Sequence, residues 1–376
     1  MAMTATTEVT TIGQSESQVA GGMPTQHAIA RDPDGVIWAI WPDAAPGALQ
    51  CARSADAGAS FEPASQSEAL APVSSASITF DEQGAADLAY VGEAQYVFYR
   101  KGDRPQPDTL QWSIRVRLHD VPALASPNAV AFIEGEETRV HVVWSRGEEW
   151  CCAYHVPLKV DPERDVWMLT REQIAGPFGT VGQPTPCIDL DAANGLWCAV
   201  WAGDEGVRVM HAPDREGRWL WDDGRALESG PALEGSLAAT MAGDELVVVH
   251  GGDSGVLHCR AVTAAEVSSA KRGEALVRSV LAADRSTESG GDGPIVRSSA
   301  GTDAAGRVHV FFQTEEGGAL CHRTLDPGVG EWSELQELLA GPVQSFSCER
   351  RGGAEMCVLA AVGGAPPYDV VVARAR

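Results

Sequence analysis

"GRVHVFFQTEEGGALCHRTLDPGVGEWSELQELLAG" runs from Gly306 to Gly341, directly after "DAA" at Asp303–Ala305. It reads as a tight Asp-x-x-Gly turn, an apolar β-branched and aromatic run, a polar loop closed by glycines, a second run ending in a basic residue, and a strand that opens near Trp332. The runs are too short and too rich in Val and Phe for helices, so this is a hairpin-built antiparallel unit.

The same unit recurs along the chain. Its apolar run reappears as Val36–Trp41 "VIWAIW", Ala86–Val91 "ADLAYV", Arg139–Trp144 "RVHVVW", Leu196–Trp201 "LWCAVW", Glu245–His250 "ELVVVH", Arg307–Phe312 "RVHVFF" and Glu355–Ala360 "EMCVLA". A turn such as "DPDG" (Asp32–Gly35), "DEQG" (Asp81–Gly84) or the longer "DAANG" (Asp191–Gly195) often precedes it. The Asp side chain bonds the turn's own backbone, and Gly takes the positive φ. Four strands, A to D, every 50 or so residues describe propeller blades. The expected architecture is an all-β, seven-bladed β-propeller forming a single domain over residues 1–376. A sandwich of eight to ten strands is the weaker alternative, because it leaves seven repeats unexplained. The last repeat runs out after three strands. "TTEVTTI" (Thr6–Ile12) is the spare strand, so residues 1–12 are expected to close the last blade and remove an exposed edge. The longest connection, 271–294, reads as an inter-blade insertion, helical in spacing over Glu274–Arg285 and then glycine-rich. Blade five offers only Val267 where a fourth strand should open.

"SADAGASF" (Ser54–Phe61) resembles the Asp box of sialidases and of many propellers that are not sialidases. Blade six resembles repeats of the tectonin-like and fucose-lectin-like propellers, with Gly-x-Leu-x-His-Arg (Gly318–Arg323) followed by a Trp-bearing strand. The first resemblance implies a turn device. A sialidase also needs an arginine cluster and a Tyr nucleophile. The "AIARDP" of blade one departs from that family's arginine motif, and the tyrosines fall away from the innermost strands. The second resemblance implies a lectin-like fold whose sugar sites lie between blades.

Net charge is −24, with 28 Lys and Arg against 52 Asp and Glu. That excludes nucleic acid and anionic membrane surfaces as partners. No apolar run is long enough to span a bilayer. The N-terminus lacks the basic start and apolar stretch of a signal peptide. Nine cysteines without C-x-x-C spacing read as buried thiols in a reducing cytoplasm. No cofactor and no metal site is expected.

Two faces of the ring differ. Strand C ends on a basic residue in every repeat: Arg53, Arg100, His155, His211, Arg260, Arg323 and Arg374. Each is expected to brace an Asp-bearing A–B turn. The B–C loops on the opposite face are acidic. There Glu149, Asp204, Asp253, Glu315 and Glu316 surround a mouth with Trp150 beside Glu149, which makes these the candidate ligand-binding residues. An aromatic face stacks on sugar C–H groups while carboxylates take the hydroxyls. The expected function is non-catalytic binding of a carbohydrate or small polar ligand. The alternatives are a small-molecule enzyme using the central funnel (a glycosidase-like hydrolase, or a cyclase or isomerase), with Glu134 and Asp189 of strand A as candidate catalytic carboxylates, and a scaffold for a basic protein partner.

Overall fold

A computed structural model describes residues 8–113, 115–118, 127–134, 137–146, 149–156, 168–175, 185–192, 195–201, 206–212, 225–227, 232–252, 255–269, 287–288, 293–315 and 317–376, with the backbone alone for 131–134, 137–139, 146, 149–156, 168–175 and 287–288. The described strands form seven sheets built around antiparallel hairpins, and the only described α-helix is the six-residue Ala264–Ser269.

In chain order the first sheet holds Ile29–Arg31, Ile37–Pro42, Leu49–Ser54 and Glu62–Pro63. The second holds Ser75–Phe80, Ala86–Val91, Val97–Gln106 and Thr109–Trp112, with Ser65–Gln66 and Val116–Arg117 added at its outer side. The third is Asn128–Glu134, Glu137–Arg146, Glu149–Val156 and Met168–Ala175, and the fourth Thr185–Leu190, Leu196–Trp201, Val207–Ala212 and Arg225–Leu227. The fifth is Ala238–Ala242, Glu245–Gly251, Val256–Thr263 and Thr287–Glu288. Arg297–Thr302, Val308–Gln313, Leu320–Asp326 and Glu331–Trp332 make the sixth, with Gln336–Leu339 also on its third strand. The last sheet is Val343–Cys348, Met356–Val362 and Tyr368–Ala375, and its fourth strand is the N-terminal Glu8–Ser15.

The second strands are the core. Ile37–Pro42, Ala86–Val91, Leu196–Trp201 and Val308–Gln313 are buried at every residue, which is why they read as unbroken apolar runs. First strands pack on first strands of neighbouring sheets in chain order, and Ile29–Arg31 also meets Val343–Cys348.

The Asp turns repeat their geometry closely. Asp32 Oδ1 accepts the N–H groups of Asp34 and Val36, Asp81 Oδ1 those of Gln83 and Ala85, and Asp303 Oδ1 those of Ala305 and Arg307, all at 2.9–3.0 Å. Gly35, Gly84 and Gly306 take φ of 84°, 83° and 82°. The other carboxylate oxygen reaches into the second strand. Trp38 Nε1 donates to Asp32 at 2.9 Å and Trp197 Nε1 to Asp191 at 3.1 Å, and His309 Nε2 lies 3.3 Å from Asp303. Each turn is thus tied to the core by a side chain six residues on. In the second sheet that position is the buried Asp87, which accepts the Tyr99 hydroxyl at 2.6 Å. Burial pushes its carboxyl up to about 7.

At the Ser54–Phe61 turn, Asp56 Oδ1 accepts from Ser54 Oγ and Ser60 N, both at 2.8 Å, and Oδ2 accepts from Ser60 Oγ at 2.6 Å. The Ser60 bonds lead in lowering the Asp56 carboxyl to about 2. Phe61 packs on the core of the first sheet. Asp56→Ala should therefore lower stability by about 1 kcal/mol, the size of a lost capping interaction. Urea unfolding will measure it, and a change below about 0.3 kcal/mol would contradict the structural role.

Two expectations need correction. The fifth sheet's fourth strand is not near Val267, which is buried in the short helix. It is Thr287–Glu288, paired with Val256 and Leu257 inside the stretch read as an insertion. Glu274–Arg285 lies outside the described residues. The basic residues that end the third strands mostly clip the fourth strand and not the Asp turns. Arg53 pairs with Glu62 at 3.6 Å, Arg100 donates to the Ser113 carbonyl at 2.9 Å, Arg323 to the Ser333 carbonyl at 2.8 Å, and Arg374 pairs with Glu8. The fourth strand is the third strand's lateral neighbour, so its groups are nearest. His211 meets its own turn, 3.4 Å from Asp191, and Arg374 also reaches Glu355 in its own first-to-second-strand connection at 3.4 Å, while Lys101 and Arg104 reach Asp81 and Asp32 from further along a third strand. Arg260 donates to the Cys259 carbonyl, and the His155 side chain lies outside the described residues.

Candidate functional site

The centre between the first strands is occupied by the chain itself. The N-terminal strand ends at Ser15 opposite Tyr368, beside the loop that joins the last sheet's second and third strands. From there residues 16–28 turn inward. Gly21 N donates to Ser345 Oγ at 2.9 Å and Ala28 N to Ser347 Oγ at 3.1 Å. Gln26 Nε2 donates to the Pro127 carbonyl at 3.3 Å, Asn128 Nδ2 to the Thr25 carbonyl, and Ile78 N to the His27 carbonyl at 2.9 Å. The segment so touches the second, third and last sheets. A Cβ on Gly21 would lie 2.2 Å from the Ser345 carbonyl oxygen, so only glycine fits that approach. "GGMPTQHA" has neither strand alternation nor helical spacing, and nothing local in it signals a plug.

The opposite end of the same centre is open. A cavity of about 400 Å³ lies there among Thr79, Asp189, Met241, Thr302, Arg350 and Arg351, at the ends of first strands and in the turns that follow them. Asp189 is buried and saturated with donors. Leu190 N and Met241 N each reach it at 2.8 Å, and Arg351 Nη2 lies 2.9 Å from both carboxylate oxygens. Burial opposes its charge, but Arg351 and Arg350 outweigh it and hold the carboxyl below the usual range. That is the setting of an anchored counter-ion; its oxygens are committed to three donor groups. Arg350 donates to the Ala129 carbonyl at 2.8 Å and to Asn128 Oδ1 at 2.6 Å. Below them His27 Nδ1 lies 2.8 Å from the Cys348 carbonyl, and burial, with Arg350 beside it, lowers its imidazole to about 3. Glu349 is buried next door against Arg31 at 3.1 Å, and burial raises it to about 7. Glu134, the other candidate carboxylate, ends its strand opposite Glu137, and its side chain lies outside the described residues.

On the face of the loops joining second to third strands, a second cavity of about 340 Å³ is lined by Glu93, Ala94, Tyr96, Phe98, Arg115 and Arg117. The Arg115 guanidinium stands 4.6 Å over the Phe98 ring and 3.9 Å from Glu93, and Arg117 stands 5.0 Å over Tyr96. Tyr90 stacks behind Phe98 at 5.4 Å. Short irregular backbone shapes the rim: Ala94 and Gln95 both have positive φ, at 54° and 61°. Fixed over aromatic faces, the two guanidiniums present donors beside a carboxylate acceptor.

Of the residues expected at this face, Glu315 is exposed in the sixth sheet's loop. Glu149 and Trp150 open the third sheet's third strand, where Glu149 pairs with Arg146 and Trp150 with Ser145. By register Trp150 stands where Tyr96 stands in the second sheet, one residue before the Cys151–Trp144 pair that matches Val97–Val91. Their side chains, and Asp204, Asp253 and Glu316 altogether, lie outside the described residues. The Tyr96 cavity was missed because Arg115 and Arg117 follow the fourth strand and reach Tyr96 and Phe98 only across the sheet. A third cavity, of about 550 Å³, lies at the turn-bearing face between the first two sheets, where Arg104 already binds Asp32 and Asp34. Among the described residues no group of three or more His, Cys, Asp or Glu is placed to hold a metal ion, and no helix is long and apolar enough to cross a membrane.

The BP39L lectin from Burkholderia pseudomallei superposes with a TM-score of 0.59 at 14% identity, over 91% of this chain and 94% of that one. The fold is all-β and propeller-like. U3-55K superposes with a TM-score of 0.52 at 12% identity, over 95% and 97% of the two chains. A fucose-glycan complex of the Aleuria aurantia lectin aligns at 10% identity over 92% and 94%, with a TM-score of 0.47. At these identities the likeness concerns architecture alone. No family model and no curated protein matches the sequence.

Proposed function

We propose that this chain is a closed seven-bladed propeller that binds carbohydrate without catalysis, at sites on the loop face between second and third strands. Seven sheets, the cyclic order of contacts among first strands and the strand Glu8–Ser15 on the last sheet support the ring. The Tyr96 cavity carries the reading of function. It joins an aromatic rim, a carboxylate and two held guanidiniums, the set that hydrogen-bonds neighbouring hydroxyls while an apolar face takes the ring's C–H groups. Trp150 with Glu149 occupies the matching place one sheet on, so a second site of the same kind belongs there. Asp204, Asp253, Glu315 and Glu316 sit in the corresponding loops of later repeats and favour a polyhydroxylated or cationic ligand over an anionic one on this face.

A glycan array on the intact protein will identify the sugar. Arg115→Ala, and separately the Glu149→Ala/Trp150→Ala pair, should each weaken binding of the best glycan at their own site at least tenfold, about 1.4 kcal/mol. Melting temperatures should stay near that of the parent. Unchanged glycan affinity in both variants would overturn this placement, and an array without any ligand would overturn the function.

A further inference from the structure

The open central cavity does not belong to that face, and its chemistry is different. Three observations bear on it. First, two guanidiniums from consecutive residues, Arg350 and Arg351, converge on one buried carboxylate, Asp189, while the nearby His27 is neutral. Asp191 on the rim is already committed to Gly195 N at 2.7 Å and Trp197 Nε1 at 3.1 Å. Second, one of the two guanidiniums keeps an unused donor. Arg350 Nε is buried without a hydrogen-bond partner, lying 3.8 Å from Asp189 Oδ1. Arg351 spends Nη1 on Thr240 Oγ1 and the Arg350 carbonyl and Nη2 on Asp189 and the Leu190 carbonyl. A buried N–H left unpaired is destabilising, and an acceptor entering the cavity would relieve it. Third, the chain itself backs the cavity. Residues 21–28 fill the centre from the other side, and the Arg351 side chain is 45% exposed at the opening.

We infer that the cavity lined by Arg350, Arg351, Asp189, Thr79 and Thr302 binds a small oxyanion, a carboxylate or phosphate group, at the end of the ring opposite the sugar-binding face. Charge-assisted bonds from arginine to such groups are the strong ones, and the volume suits a single small molecule. The acidic remainder of the surface keeps polyanions away, so selection falls on small, singly or doubly charged species.

Inorganic phosphate and succinate are the probes, titrated at constant ionic strength against chloride and followed by calorimetry. Saturable binding of either, at one site per chain, is expected; whichever binds tells phosphate from carboxylate. Arg351→Gln, at the half-exposed arginine, should weaken it at least tenfold. Asp189→Asn removes the competing carboxylate and should tighten it, a direction that a merely structural role would not give. Arg376→Ala, away from both cavities, should leave it unchanged. Should Arg351→Gln fail to fold, a phosphate-soaked crystal of the parent protein decides, with density expected within hydrogen-bonding reach of Arg350 or Arg351. No saturable binding of either probe, or binding indifferent to Arg351→Gln, would overturn the inference.

Discussion

Removing residues 1–12 is expected to lower the melting temperature by about 10 °C or more, since even a few kcal/mol moves a domain of this size by several degrees. The deleted strand pairs along Tyr368–Ala375 from Glu8–Arg374 onward, packs Ile12 on the first sheet's core and carries the carboxylate that Arg374 binds. Its loss bares the backbone of a buried apolar strand, an edge prone to pairing with another chain. It also frees the anchor of the segment that fills the centre. Differential scanning calorimetry with light scattering will show both effects. A truncated protein that melts within one or two degrees of the parent and stays monomeric would rule the closing strand out.

Asp189→Ala is the second large effect. The substitution leaves Arg351 and much of Arg350 without their counter-ion, and it strands the Leu190 and Met241 amides. Breaking a buried pair from one side costs about 3–5 kcal/mol, and the partial exposure of Arg351 puts the expectation near the lower end. The sign with pH follows from the depressed carboxyl. Its stabilisation is fully present above the unfolded-state pKa and is lost as pH falls through the folded-state value, so the neutral-pH measurement captures all of it. Pairing the change with Arg351→Met should restore part of the loss in a double-mutant cycle. A loss below about 1 kcal/mol at pH 7 would contradict the anchored counter-ion.

The repeat was legible because its signals are local. Asp32, Asp81 and Asp303 bond backbone groups two and four residues on, and their glycines sit in one fixed conformation, so turn and period show in the sequence. Thr6–Ile12 was legible as a spare strand by subtraction, although the strand itself is Glu8–Ser15. What sequence did not reveal depends on distant partners. Arg53, Arg100, Arg323 and Arg374 stood out by position, but whether each reaches a turn or a fourth strand depends on lateral spacing in the sheet. Arg350 and Arg351 meet Asp189 from more than 150 residues away. The plug at Gly21–Ala28 is written in glycines and small polar residues, whose meaning appears only against Ser345 and Ser347. The sugar-site candidates stand between these cases. The sequence points to Trp150, whose side chain lies outside the described residues, whereas the described cavity forms at Tyr96 because Arg115 and Arg117 come to it across the sheet.

A crystal structure of the protein with its best array glycan tests the central claim most directly. The account predicts the sugar on the loop face, touching Tyr96, Glu93 or Arg115, or the matching Trp150 and Glu149. A sugar held instead on the turn-bearing face, against Arg53, Arg260 or Arg323, would contradict it.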